Sequence, residues 1–176
     1  MRRAAARIHG VDLVERAVAA MRPDARADFT SGFDTAAWYP VTHVDAFYDS
    51  LLREAGGGID AVRLVAQRAM EDDIGTFYRL ILRTFDPSSV LNFGLRVWRT
   101  IYDAGQVTVE RPAAGRVLVN VDGVEGFTRH VWYDVLGGVE GMVAFSRATD
   151  KSVRIVEGGD DGPRMKLEVS WSPKGS

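Results

Sequence analysis

The chain has 176 residues, 46% of them hydrophobic, with 22 basic and 24 acidic side chains and no cysteine. That length and apolar content suit one globular domain that needs no metal or disulfide staple. The near balance of charge gives no field to draw in nucleic acid or an anionic membrane, and the lack of cysteine excludes disulfides, thiolate nucleophiles, iron–sulfur clusters and cysteine zinc sites.

Residues 1–8, opening MRRAAAR, read as a loose, solvated basic start. Val11, Val14, Val18 and Met21 then recur at helical spacing until Pro23 stops them. The small, polar stretch 24–37 reads as a connection. Trp38-Tyr39-Pro40 leads into a stripe of Val44, Phe47, Tyr48, Leu51 and Leu52, with Thr42 as the expected N-cap and Asp45 three residues on. Gly56-Gly57-Gly58 ends that helix. A third helix is predicted over 60–72, burying Val62, Val65, Ala66 and Ala69. A fourth stripe carries Phe77, Tyr78, Ile81, Leu82 and Phe85. Asp86-Pro87 restarts the helix, an aspartate that can cap followed by proline where its missing N–H costs nothing. The segment it opens shows Val90, Leu91, Phe93, Leu95, Val97, Trp98, Ile101 and Tyr102, a set wide enough to predict burial on most sides.

After Gly105 the period changes to two. Val107 and Val109, then Val117, Val119 and Val121, predict a hairpin. Val153 and Ile155, then Met165, Leu167, Val169 and Trp171, predict a second. Between them lies FTRHVWYDVLGGVEG, a helical stripe of Phe127, Val131, Trp132, Val135 and Leu136. The prediction is an α+β fold: one domain over 1–176, with N-terminal helices (about 9–104) packed on a C-terminal four-stranded antiparallel sheet (about 105–171) made of two hairpins with a helix between them.

Chemistry is sparse. His130 and Asp134 stand at contact spacing on one helix face, enough to orient a general base, but no G-x-S-x-G nucleophile accompanies them. His9, His43 and His130 form no H-x-x-x-H or H-E-x-x-H, so no metal site is expected. Gly137, Gly138 and Gly141 lack the G-x-G-x-x-G spacing and context of a phosphate cradle; close approach of another element explains them better. Aromatic residues recur on successive elements. Tyrosine and tryptophan carry a polar atom that needs a partner when buried, so they point to a partly polar, mostly apolar pocket. The candidate lining is Trp38, Tyr39, Phe47, Tyr78, Phe93, Trp98, Tyr102, Phe127, His130 and Trp132.

The segments WYP, FDPSSVLNFGLRVWRTIYDAGQVTVE, GFTRHVWYDVLGGVEGMV and the terminal LEVSW together resemble a bacterial family known as expanded paralogues in myxobacteria, of unknown function. That family is similar to the four-vinyl-reductase and haem–nitric-oxide-binding group of domains. The resemblance implies an α+β layout with a late antiparallel sheet and a sensory or ligand-binding role. The haem-binding branch uses a proximal histidine and a Y-x-S-x-R motif, and the nearest text here is FSRAT at 145–149. The resulting expectation is a non-enzymatic module binding a small apolar or aromatic molecule, with no cofactor. A protein-interaction or homodimerising module is the alternative, and an enzyme using His130 with Asp134 the third choice. Neither nucleic acid nor a membrane span is expected: no apolar run approaches the about 20 residues of a span. A cytoplasmic location is the default.

Overall fold

The computed structural model describes residues 1–34, 36–75 and 82–172. Among the described residues five helices come first: α1 (Arg2–His9), α2 (Val11–Ala19), α3 (Pro23–Ser31), α4 (Val41–Ala55) and α5 (Asp60–Asp73). Then follow α6 (Pro87–Ile101), β1 (Gln106–Ala113), β2 (Arg116–Asp122), α7 (Arg129–Ala144), β3 (Thr149–Gly158) and β4 (Arg164–Ser172). All three strand pairings are antiparallel, in the order β1-β2-β4-β3. The α+β layout of helices followed by two hairpins around one helix is the predicted one. No described helix is long and apolar enough to cross a membrane.

Several local expectations give way. Residues 2–9 are not a loose start but α1, anchored by buried Ala4 and Ala5. Within the stretch expected to be a connection, α3 forms with Pro23 in its first turn and Ala25 and Phe29 buried. Thr42 does not cap α4; Pro40 stands at that position with no side-chain cap. The Asp86 cap is as predicted: its carboxylate accepts from the Ser89 backbone N–H at 2.9 Å. The helix α6 buries one face only, with Val90, Leu91 and Trp98 inside and Phe93 and Ile101 exposed. Phe77, Tyr78 and Ile81 lie outside the described residues.

Two large apolar clusters result, beside a small one of Leu82, Val90 and Met142. The first joins α1–α5 through Val14, Ala17, Phe47, Leu51, Val62 and Val65. The second lies between the sheet and α6 and α7. Val117, Val119 and Val121 of β2 and Met165, Leu167 and Val169 of β4 face Trp98, Val131, Trp132 and Leu136. Register explains that face: Val119 pairs with Leu167 and Val117 with Val169, and alternate residues of a strand share one side. On the opposite side Glu168 accepts from both Arg116 and Arg154, which hold its carboxyl below the usual range.

The helix α7 belongs to both clusters' surroundings, so it fixes the helices relative to the sheet. Its close seat on α5 needs glycine. A Cβ at Gly137 would stand 2.2 Å from the Arg63 carbonyl oxygen, and one at Gly141 2.7 Å from that of Gln67. The glycine run is therefore a packing device inside a continuous helix. A bidentate pair from Arg63 to Glu140, at 2.6 and 2.5 Å, closes the same seam.

Candidate functional site

Three helices converge on one acid. Asp134 interrupts the apolar run VWYDVL of α7 and turns towards α4, where Tyr48 donates to its Oδ1 at 2.5 Å. Tyr102, just past α6, stands near enough for the acid to act on its phenol electrostatically. Burial raises the Asp134 carboxyl, with the Tyr48 hydrogen bond and the Met1 amino group pulling the other way. Burial, and then the neighbouring Asp134, raise both phenols: Tyr48 and Tyr102.

Two cavities meet at this acid. The outer one, about 1220 Å³, runs between the segment before α4 and the turns after α6 and β2. Trp38, Tyr39, His43, Tyr102, Phe127 and Asp134 are in its wall. The inner one, about 150 Å³, lies between α6, α7 and the sheet and is lined by Trp98, Tyr102, Val119, Asp134, Met142 and Leu167 among others. Tyr48 is the hydrogen-bond partner of Asp134, through Oδ1 alone. Among the described residues the one sealed, unpartnered side-chain polar atom is His9 Nε2. The second oxygen of Asp134 and the Tyr102 hydroxyl are therefore not sealed, and they open on the cavities their residues line.

The ten predicted lining residues separate into groups. Trp38, Tyr39, Tyr102 and Phe127 line the outer cavity and Trp98 and Tyr102 the inner one. Phe47 is core, stacked on Phe29 with ring centroids 4.7 Å apart. Trp132 is core as well, its indole N–H donating to the Gly162 carbonyl at 3.2 Å. Phe93 is 46% exposed and borders a separate apolar groove. Tyr78 lies outside the described residues. His130 lines neither cavity. Its Nδ1 meets Asp45 at 2.9 Å, so the expected His130–Asp134 pair does not form. Asp134, Tyr48 and His43 were not among the predicted lining; an acid within VWYDVL was the signal available for the first.

The chain shares its architecture with solved proteins. Over 98% of its length it is similar to an oxygen-binding H-NOX domain related to soluble guanylate cyclases, at 15% identity, TM-score 0.70 and 91% coverage of that chain. An Fe(II) unliganded H-NOX protein from K. algicida matches at 11% identity, TM-score 0.73, with 98% and 93% covered. A structure concerned with haem redox potential and protein-induced porphyrin distortion matches at 14% identity, TM-score 0.71, with 98% and 91% covered. The fold is that of the H-NOX domains. No protein-family model and no curated protein sequence matches the chain.

This corrects the expectation of no cofactor. Structures of this fold concern haem redox potential and haem distortion in the H-NOX family, so haem is the group the fold implies and has to be tested against these residues. By volume the outer cavity is ample, since ligand pockets run to about 300–1,000 Å³, and the inner one is too small. The donors are less accommodating. His43 is the histidine in the outer wall, and its Nδ1 lies 2.6 Å from Asp28 and its Nε2 3.5 Å from Asp24. The Tyr39 hydroxyl already accepts from the Asp34 N–H. The raised Tyr102 phenol resists ionising to a ligand. The inner wall offers methionine sulfur but no histidine. As arranged, these side chains do not fit a haem iron, and no step is derived through one.

The raised Asp134 carboxyl has a measurable consequence. The folded state holds that proton to higher pH than the unfolded chain, whose value lies near 3.8. Its contribution is complete below that value and is lost as pH rises towards the folded one. Asp134→Asn keeps an acceptor for Tyr48 and removes the titration. In urea melts from pH 4 to 8, wild type is expected to lose stability relative to Asp134→Asn as pH rises. Parallel curves would contradict the assignment.

Proposed function

We propose that the chain is a ligand-binding sensory domain of H-NOX fold, working as one unit, whose ligand is a small, largely apolar or aromatic molecule held in the outer cavity. The observation that carries this is the wall itself. Trp38, Tyr39 and Phe127 surround a space with Asp134 and Tyr102 presenting polar atoms to it, the usual make-up of a small-molecule site. The order of elements that resembles the bacterial paralogue family accords with this reading, as does a cytoplasmic default.

Thermal unfolding against an aromatic and lipid-like panel is the test. A ligand at a hundredfold excess over its Kd adds about 2.7 kcal/mol, a rise of roughly 5–10 °C for a chain of this size. Haemin heads the panel because of the neighbours. A sharpened, shifted Soret band lost in His43→Ala would make haem the occupant of this cavity. A flat response across the whole panel would remove the reading.

A second reading, self-association, has one observation in its favour: Phe85, Phe93 and Ile101 are exposed beside one apolar groove. Light scattering showing a monomer at high concentration would end it.

A further inference from the structure

The outer cavity has a charge pattern that an apolar ligand leaves unused. Its described wall contains three acids, Asp103, Glu125 and Asp134, and no lysine or arginine. Asp103 and Glu125 are exposed at the rim and neither is ion-paired. Asp134 lines the cavity with one oxygen on Tyr48 and the other not sealed. Two basic groups stand in the same wall. His43 faces Asp28 and Asp24, and Met1 lines the cavity too, its amino group acting on Asp134 through space without a hydrogen bond to it. Beside these acids stand the rings of Trp38, Tyr39 and Phe127, with Trp38 60% exposed.

The geometry points to a small organic cation, a primary ammonium on an aromatic or apolar body, as the ligand class of this cavity. Its charge sits on the open oxygen of Asp134 and its body against Trp38, Tyr39 and Phe127. This inference rests on the pocket proposed above. A desolvated carboxylate with no directly paired counter-charge is costly, and a cationic ligand that pairs with it offsets that cost. Aromatic faces attract ammonium groups as well as apolar carbon. The acids at the rim draw a cation inwards and repel an anion. In the described wall an anionic ligand would meet three carboxylates against the one amino group of Met1.

Three probes of one shape test it: 2-phenylethylammonium, 2-phenylethanol and phenylacetate, followed by calorimetry and tryptophan fluorescence at pH 7.5. The ammonium is expected to bind on the order of tenfold tighter than the alcohol, with phenylacetate weakest and the preference shrinking at 0.5 M salt. Asp134→Asn is expected to bring the ammonium down to the level of the alcohol while alcohol binding persists, which also shows that the variant is folded. Equal binding of ammonium and alcohol by wild type would overturn the cation and leave the pocket standing, and so would a preference surviving in Asp134→Asn. No binding by any of the three, with a flat wider panel, would remove the pocket and this inference together.

Discussion

Replacing Gly137 by alanine is expected to destabilise the protein by about 1–3 kcal/mol, the range for an overfilled interior. Lower values would hold if α5 could move aside easily. The added methyl would stand 2.2 Å from the Arg63 carbonyl oxygen and 2.9 Å from Ala66 Cβ, and neither is the end of a flexible side chain. Alanine's helix preference, about 1 kcal/mol over glycine, offsets only part of this. Gly141→Ala meets the Gln67 carbonyl at 2.7 Å and Met70 Cβ at 2.9 Å and should behave likewise. Gly138 is the internal control. Among the described residues a methyl there finds only the Met70 Cε, at 3.6 Å, so Gly138→Ala should be neutral or stabilising. The loss should reach function too. Moving α7 off α5 shifts Asp134 relative to Tyr48 and the Arg63–Glu140 pair with it. Chemical denaturation of the three variants decides the matter. Equal midpoints for Gly137→Ala and Gly138→Ala would show that the seam is not close-packed.

Features whose cause lies within a few residues were legible in the sequence. Alternating valines gave both hairpins, because a strand with one buried face repeats every second residue. Asp86-Pro87 gave a helix start, because cap and proline act within one turn. The glycines of α7 were readable as close contacts, although nothing local named α5 as the neighbour. Elements buried through alanine were not legible. Ala4 and Ala5 secure α1 and Ala25 helps secure α3, yet alanine contributes little to an apolar stripe. Distant partners were hidden as well. His130 could reach Asp134 along its own helix, and instead meets Asp45, 85 positions away. The ring types of the site were visible, but not their destinations: Phe47 and Trp132 fill core, Trp38 borders space, and Phe127 does both. Haem was set aside on the lack of a motif. The fold, which depends on element order more than on motif, brought it back as the group to test.

That division among the aromatics yields the second large effect. Trp132 is fully buried, its ring 4.7 Å from that of Phe127 and its N–H on the Gly162 carbonyl. Trp132→Ala is expected to cost about 3–5 kcal/mol, a fall in Tm of roughly 6–20 °C at this chain length. The void would open directly behind Phe127, which also touches Tyr102 at 5.1 Å, so the outer cavity should lose part of its wall and bind its ligand more weakly. Trp132→Phe restores ring contact but leaves the Gly162 carbonyl without its donor, and should recover most of the stability. Trp38→Ala separates the two roles. Its side chain is largely solvent-exposed, so stability should change by no more than about 0.5 kcal/mol, while ligand binding falls. A Trp38→Ala variant that loses stability as Trp132→Ala does, or keeps full binding, would show that the rings before α4 belong to the core and not to the cavity.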